Sequence, residues 1–196
     1  MAKRKAEVHR KTRETDIALS LTLDGEGKSE TSTGVAFLDH MLELLARHGL
    51  MNLAVKATGD TRVDAHHTVE DVGICLGQAL RDALGDRNGI RRFGDCAAPM
   101  EDSLAQVALD LGGRGSLVFR AEFPSEKTGE FDVHLIEEFL RAFAANAGMN
   151  LHVNVPYGRN SHHVAEAIFK ALAKALDHAT QIDPRIKGVP STKGVL

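Results

Sequence analysis

Two short segments of this 196-residue chain carry the same set of potential metal ligands. Each segment has two adjacent histidines and, three residues after the second histidine, a glutamate. These residues are His66, His67 and Glu70 in DAHHTVED, and His162, His163 and Glu166 in NSHHVAEA. A chain of this composition would contain roughly 0.07 such patterns by chance, so their repetition indicates a shared chemical role. Imidazole nitrogens and carboxylate oxygens are ligands of divalent ions such as Mn, Fe or Zn.

The spacing predicts how these side chains would be used on a helix. Residues three or four positions apart share a helix face, whereas neighbours point about 100° apart. Adjacent histidines therefore diverge, and each is expected to serve a different ion. Two copies of the motif would then build two similar metal sites. The alternative is that paired histidines at a helix start cap the helix or face solvent.

The segments around the motifs predict an internal duplication with a spacing near 96 residues. The first unit is predicted to have strands at 15–23 and 51–57 and helices at 35–49 and 66–85. The second is predicted to have strands at 103–111, 116–123 and 149–155 and helices at 133–148 and 162–180. Gly49 and Gly148 are each predicted to cap the first helix of a unit in the left-handed conformation. The pattern indicates an α+β fold with two-layer packing.

The duplication also predicts further ligands in the first helix of each unit. His40 lies 26 residues before His66, and Glu138 lies 24 residues before His162, so the two positions correspond. His134 and His152 compete with Glu138 in the second unit, although His152 falls on a strand position. His48 is predicted either to interact with the helix dipole or to belong to the site.

Phosphate recognition has weaker signals in the sequence. Arginine forks and hydroxyl-plus-lysine loops both bind phosphate oxygens well. The candidates are Arg92, Arg114, Ser191, Thr192 and Lys193. The tail from 188 to 196 has no periodicity and is predicted to be a loop, by default a disordered one.

Composition excludes several other classes of protein. The net charge of −3 gives no overall basic field for nucleic acid. No run of 18 apolar residues predicts a membrane span, and the basic opening lacks the apolar core of a signal peptide. Cys75 and Cys96 have no close metal-ligand spacing and are expected to be reduced thiols of a cytoplasmic protein.

Nearly the whole chain resembles the imidazoleglycerol-phosphate dehydratase family. The motifs that carry this resemblance are RKTRET, FLDHML, RHGL, ATGD, DAHHTVED, GIRRFGD, LDLGGR, RAFAANAGM, NSHHVAEAIFKALAKAL and PSTKGVL. The resemblance implies a ribosomal protein S5 domain 2-like fold, in which each duplicated half-domain is a four-stranded sheet with two helices packed on one face. The expected units are repeats at 1–90 and 91–184 and a substrate-binding tail at 185–196, all within a single compact domain.

The resemblance also implies an activity in histidine biosynthesis. It is that of a lyase that dehydrates D-erythro-imidazole glycerol phosphate to imidazole acetol phosphate. The family implies two Mn²⁺ per active site, which we expect to bind the substrate as an imidazolate. It also implies a homo-oligomer of 24 subunits with sites at subunit interfaces, and no nucleic acid or membrane partner.

The family's functional residues fall on positions that this sequence matches. The implied metal ligands are His40, His66, His67, Glu70, Glu138, His162, His163 and Glu166. Relatives frequently have histidine where this chain has Glu138. The implied catalytic residues are Glu14 (as proton-transferring base), His40, His66, Glu70, His162 and Glu166. The implied substrate contacts are Glu14, Arg92, Arg114, Ser191, Thr192 and Lys193, with weaker cases at His48 and Asp64.

Two other classes of protein remain alternatives at this stage. A di-metal hydrolase would hold its ions about 3.5–4 Å apart, whereas a dehydratase needs ions far enough apart to flank an imidazole ring. A metal-storage or structural shell would need neither Glu14 nor the arginines.

Overall fold

The chain forms two α+β halves with the same order of strands and helices. The computed structural model describes residues 4–194 and 196. The elements of the first half are β1 (Lys5–Lys11), β2 (Thr15–Thr22), β3 (Ser29–Ser32), α1 (Ala36–Gly49), β4 (Asn52–Gly59) and α2 (His66–Leu84). Those of the second half are β5 (Phe93–Met100), β6 (Ser103–Asp110), β7 (Ser116–Arg120), β8 (Lys127–Thr128), β9 (Phe131–Asp132), α3 (Leu135–Ala147), β10 (Asn150–Tyr157) and α4 (Ser161–Thr180).

Each half contains one four-stranded sheet of the same topology. The strand order is β1-β2-β4-β3 in the first sheet and β5-β6-β10-β7 in the second. In each sheet the last pair, β4 with β3 or β10 with β7, is parallel, and the other pairs are antiparallel. The remaining short strands, β8 and β9, form a separate hairpin. This confirms the α+β class and the duplicated half-domain that the sequence predicted.

Alternating side chains bury one face of each sheet under helices. In β2, for example, Ile17, Leu19 and Leu21 are buried while the residues between them are more exposed. Helices α1 and α2 pack on the first sheet, and α3 and α4 pack on the second. Helix α2 also packs against α3, and α1 against α4, so the two helix layers meet between the sheets. One continuous hydrophobic cluster fills this interior.

One of the two predicted glycine caps is wrong. Helix α3 ends at Gly148, which takes the left-handed conformation (φ 64°) as predicted. Helix α1 instead includes Gly49, and the left-handed residue is Leu50 (φ 52°). The absence of a side chain at Gly49 serves packing, because a Cβ there would lie 2.7 Å from Cε of Met51 and 3.4 Å from the carbonyl oxygen of Ala173 in α4.

Strands β1, β3 and β5 were not recognised from hydrophobic pattern alone. β1 and β3 are mostly polar edge strands. β5 contains Gly94 and Pro99, which disfavour a strand prediction. Gly94 is required because a Cβ there would lie 2.0 Å from the carbonyl oxygen of Ala175 in α4. The close approach of β5 to α4 therefore requires a glycine that weakens the strand pattern in the sequence.

The C-terminal tail is a loop, as predicted, but it lies against the second half of the molecule. Gly89 N donates a hydrogen bond to Gly188 O (2.9 Å), and Arg92 Nη1 donates one to Pro190 O (2.8 Å). The tail is thus hydrogen-bonded to the rest of the chain at Gly188 and Pro190. Among the helices of the described residues, none combines the length and the apolar character needed to span a bilayer.

Candidate metal centre

The two histidine pairs lie at the first turns of α2 and α4. Helix α4 is capped by Asn160, whose side chain accepts hydrogen bonds from His162 N (2.9 Å) and His163 N (3.4 Å). At the start of α2, Asp64 Oδ1 accepts a hydrogen bond from His66 N (2.8 Å). Backbone N–H groups in the first turns of α2 and α4 thus donate to Asp64 and Asn160, and the imidazole rings are available for other interactions.

The two rings of each pair diverge, as the helical spacing predicts. The ring centroids of His66 and His67 are 6.0 Å apart with planes at 90°. Those of His162 and His163 are 6.2 Å apart with planes at 86°. The two histidine pairs therefore have nearly the same geometry, and in each the adjacent rings point in different directions.

His40, His162 and Glu166 converge where α1 meets α4. Glu166 Oε1 lies 2.9 Å from His40 Nε2 and 3.1 Å from His162 Nε2. Donor atoms on one ion lie roughly 3 to 3.5 Å apart when each bond is about 2.1 Å. Across residues 4–194 and 196, these three side chains form the one group of three or more whose donor atoms all lie within 4.8 Å of one another. The donor set therefore fits a divalent cation.

Glu166 is held in its ionised form by its surroundings. Burial would raise the pKa of its carboxyl, but hydrogen bonds from Lys170, His40 and His162 outweigh burial and lower the pKa to about 2. Lys170 Nζ lies 2.6 Å from Glu166 Oε2, one helical turn further along α4. Sequence reasoning missed Lys170, although its spacing of four residues from Glu166 gave the signal.

The residues that correspond to this cluster by the duplication, namely Glu138, His66 and Glu70, are less tightly gathered. His66 Nε2 lies 3.8 Å from Glu70 Oε2, and both side chains are about half exposed. Glu138 is half-buried in α3, which packs against α2. The described side chains do not bring Glu138 into a group of three donors like that around Glu166. Its role as the eighth ligand therefore stays a prediction.

Glu14 lies beside the first histidine pair. It occupies the turn between β1 and β2, where its Oε1 is 4.0 Å from His67 Nε2. The side chain is about half exposed, and its carboxylate has no closer ionic partner among the described residues. A carboxylate in this position is free to contact a ligand held near His67.

Two carboxylates that sequence reasoning missed contact the second histidine of each pair. Asp60 Oδ2 lies 3.0 Å from His67 Nδ1, and Asp102 Oδ1 lies 3.2 Å from His163 Nδ1. The hydrogen bond with Asp60 raises the pKa of the His67 imidazole, and the charges of Glu14 and Asp64 add to this effect. The two aspartates stand at different spacings from their histidines, so no repeated pattern in the sequence indicates them.

The other predicted histidines lie outside the cluster. His48 is half-buried near the end of α1, where burial and the charges of Lys170 and Lys174 lower its pKa. His134 is exposed at the start of α3, and His152 is exposed on β10. His134 and His152 thus have no place in the cluster of three donors.

A cleft opens beside the cluster and reaches the start of α2. Its volume is about 800 Å³, and its lining includes His40, His162, Phe37 and Asp64. The starts of α2 and α4 therefore border one cleft, which is large enough for a small organic ligand.

The predicted phosphate-binding residues lie elsewhere on the chain. Arg92 Nε and Nη2 donate to the two carboxylate oxygens of Asp110 (2.6 and 2.9 Å), in addition to the bond from Nη1 to Pro190 O. Arg114, Thr192 and Lys193 are exposed, and Ser191 is half-buried. Arg92 thus holds Pro190, which directly precedes Ser191, Thr192 and Lys193 in the tail.

Fold and site together define a class of protein, a duplicated α+β chain with a histidine–glutamate cluster that could hold a metal ion. The family model described as imidazoleglycerol-phosphate dehydratase matches residues 33–176. The chain belongs to the imidazoleglycerol-phosphate dehydratase family, which is a family of hydro-lyases, and is therefore an enzyme.

Similar proteins match along almost the whole chain. An imidazoleglycerol-phosphate dehydratase of Geobacillus sp. (strain WCH70) is 62% identical over 193 residues, which are 98% of this chain and 99% of the relative. That of Geobacter metallireducens is 58% identical with the same coverage.

Solved structures agree with the fold. The crystal structure of the Staphylococcus aureus dehydratase has a TM-score of 0.83 at 38% identity and covers 91% of this chain and 99% of its own. The enzyme of Pyrococcus furiosus, crystallised in complex with (S)-C348, also has a TM-score of 0.83, at 36% identity, covering 96% of this chain and 100% of its own.

Proposed function

We propose that this chain dehydrates D-erythro-imidazole glycerol phosphate to imidazole acetol phosphate in histidine biosynthesis. The observation that carries the proposal is the cluster of His40, His162 and Glu166 in a member of this family; one of the two copies of the His-His-x-x-Glu motif supplies His162 and Glu166. The location that goes with this role is the cytoplasm.

The reaction itself states what the site must do. The carbon next to the imidazole ring loses its hydroxyl, and the middle carbon of the side chain loses a hydrogen as a proton. The resulting enol becomes a ketone when its hydroxyl oxygen gives up a proton and the carbon next to the ring gains one. Because the substrate has no carbonyl group to stabilise a carbanion, the ring must supply the electron density that expels the hydroxyl.

The metal ligands would hold the imidazole ring for this step. The residues that we assign are His40, His66, His67, Glu70, Glu138, His162, His163 and Glu166. Two divalent cations bound by them, which we propose to be Mn²⁺, would stabilise the negative charge that the ring acquires. Glu166 is kept ionised by Lys170 and the two histidines, so it is ready to act as a ligand at neutral pH.

Glu14 is the residue that we assign to proton transfer. A general base must lie within reach of the proton that it removes. The position of its carboxylate, 4.0 Å from Nε2 of His67, supports this role because Nε2 is the ring atom that would face a metal. The other residues assigned to catalysis, namely His40, His66, Glu70, His162 and Glu166, act by positioning the ring.

Phosphate binding is assigned to Arg92, Arg114, Ser191, Thr192 and Lys193. A guanidinium has five N–H donors, and Arg92 uses three of them on Asp110 and Pro190. Its remaining donors are available to an anion, and its hold on Pro190 keeps the tail nearby. Binding the phosphate at this remote end would keep the reacting carbons within reach of Glu14, the proposed base.

The distance between these two groups supports an active site shared between subunits. Arg92 N donates a hydrogen bond to Ala179 O near the end of α4, whereas His162 lies at its start. Seventeen residues of helix between them correspond to about 26 Å. The substrate has only three carbons between its ring and its phosphate. A second copy of the chain would therefore complete the site, and we propose the 24-subunit assembly typical of the family.

An assay with one variant tests the proposal. The purified chain loaded with Mn²⁺ should convert imidazole glycerol phosphate to a product lighter by one water, detected by mass spectrometry. Glu14→Gln should lower turnover by about 10²- to 10⁴-fold while leaving Mn²⁺ content and assembly unchanged. Unaltered turnover of the variant would remove Glu14 from its assigned role. Absence of product from the wild-type chain would refute the function.

A further inference from the structure

Asp60 and Asp102 occupy the same place relative to the two histidine pairs. Each places a carboxylate oxygen against Nδ1 of the second histidine, at 3.0 Å from His67 and 3.2 Å from His163. An ionised carboxylate can only accept a hydrogen bond, so Nδ1 must be the donor. In a neutral imidazole the lone pair is then on Nε2, the nitrogen that is left to bind a metal.

The surroundings of both aspartates favour this arrangement. Asp60 Oδ1 is buried without a hydrogen-bond partner among the described residues, so the hydrogen bond to His67 is the main stabilising contact of its carboxylate. Asp102 Oδ1 accepts hydrogen bonds from both His163 and Ser103 Oγ (2.9 Å), and the second bond fixes the orientation of the carboxylate.

The two aspartates reach their histidines from different loops. Asp60 directly follows β4, whereas Asp102 lies in the turn between β5 and β6. In the first half, the turn equivalent to that of Asp102 connects β1 to β2 and carries Glu14. Glu14 approaches Nε2 of His67 rather than Nδ1. Because Asp60 already contacts Nδ1 of His67, the carboxylate of Glu14 is free to face a ligand bound near Nε2 of that histidine.

We propose that Asp60 and Asp102 are positioning residues that keep the proton of His67 and His163 on Nδ1 and so direct Nε2 of each ring to a metal ion. This inference rests on the proposed function, within which His67 and His163 are ligands. A carboxylate that accepts the second N–H of a metal-binding histidine raises its basicity and fixes its orientation, and loss of such a partner typically lowers metal affinity about 10- to 100-fold.

Titration of the metal-free full-length protein with Mn²⁺ alone tests the proposal. Asp60→Asn should weaken Mn²⁺ binding about 10- to 100-fold at the site that includes His67, and Asp102→Asn should do the same at the site that includes His163. Glu101→Gln is the matched control, because it removes a charge from the turn that carries Asp102 without touching His163. This control should bind Mn²⁺ as the wild-type chain does. Affinities of both aspartate variants equal to that of Glu101→Gln would overturn the proposal.

A double-mutant cycle separates positioning from a general effect of charge. In a His163→Gln background, Asp102→Asn should cause no further loss of Mn²⁺ affinity, because its effect passes through His163. An equal loss in both backgrounds would contradict the positioning role. The two aspartates lie in different loops, so if one variant does not assemble, the Mn²⁺ affinity of the other still tests the proposal. Since only Mn²⁺ is titrated, the result stands whether or not the wild-type chain dehydrates the substrate.

Discussion

At the scale of single residues, the duplicated glutamates have diverged in their surroundings. Glu166 is buried and contacts Lys170, His40 and His162, whereas Glu70 is about half exposed and lies 3.8 Å from His66. The lysine of the second half has no counterpart in the first, where the residue four positions after Glu70 is Ile74. The donors around Glu166, which come from α1 and α4, are thus held close together, whereas those around Glu70 are held loosely.

This difference predicts unequal effects of one substitution at the two positions. In the metal-free protein, Glu166→Gln should lower the free energy of unfolding by about 1.5–3 kcal/mol, because it removes the charge from buried hydrogen bonds. Glu70→Gln should change it by no more than about 0.5 kcal/mol, since its side chain is exposed. Denaturant unfolding with chelator present measures both. Equal losses would contradict the view that only the donors around Glu166 are held in place by their neighbours.

At the scale of elements, the metal centre depends on how closely the helices approach one another. Gly73 and Gly77 of α2 face α3, and a Cβ at Gly77 would lie 2.7 Å from both Asn146 Cβ and Phe143 O. This approach holds α2, which carries the first histidine pair, against α3, which carries Glu138. Small residues on the buried side of α2 therefore set the position of the histidine pair at its start.

Enlarging that contact should destabilise the fold. Gly77→Ala is expected to lower the free energy of unfolding by about 1–3 kcal/mol, because the added methyl group forces α2 away from α3. Gln78→Ala, on the next residue and half exposed, serves as the control and should change it by less than about 0.5 kcal/mol. Chemical denaturation measures both values. A Gly77→Ala variant as stable as its control would show that the close contact is not needed.

Periodicity predicted the four helices and the central strands, because their buried faces follow the 3.6- and 2-residue repeats of helix and strand. It failed at β1 and β3, whose polar residues serve a sheet edge, and at β5, where Gly94 lets α4 approach. Within the site, the repeated motif identified His162 and Glu166. The contacts of Asp60 and Asp102 with their histidines were not predicted, because strand pairing rather than a fixed spacing brings these residues together.

At the scale of the whole molecule, one chain separates the metal centre from the predicted phosphate-binding residues by the length of α4. This separation is the reason for proposing that two copies of the chain form each site. In a symmetric assembly, one copy would contribute its metal ligands and another its Arg92 and tail to the same substrate.

Mixing two inactive variants tests this shared site. His162→Ala disables the metal end and Arg92→Ala the phosphate end, so each variant alone should have little activity. If the two ends of a site come from different chains, random co-assembly restores roughly a quarter of the sites. Activity should then reappear when the variants are dissociated and reassembled together. Mixtures no more active than the separate variants would contradict a site shared between subunits.

The most direct test of the central claim is to measure bound metal and dehydration together. The wild-type protein is stripped with a chelator, and Mn²⁺ is then added back while bound Mn²⁺ and conversion of imidazole glycerol phosphate are both followed. Turnover should fall to background on stripping and return in proportion to the Mn²⁺ bound, with His162→Ala failing to recover. Turnover that persists in the stripped protein, or that returns fully in the His162→Ala variant, would contradict the assignment of the histidine–glutamate cluster as the metal centre of the reaction.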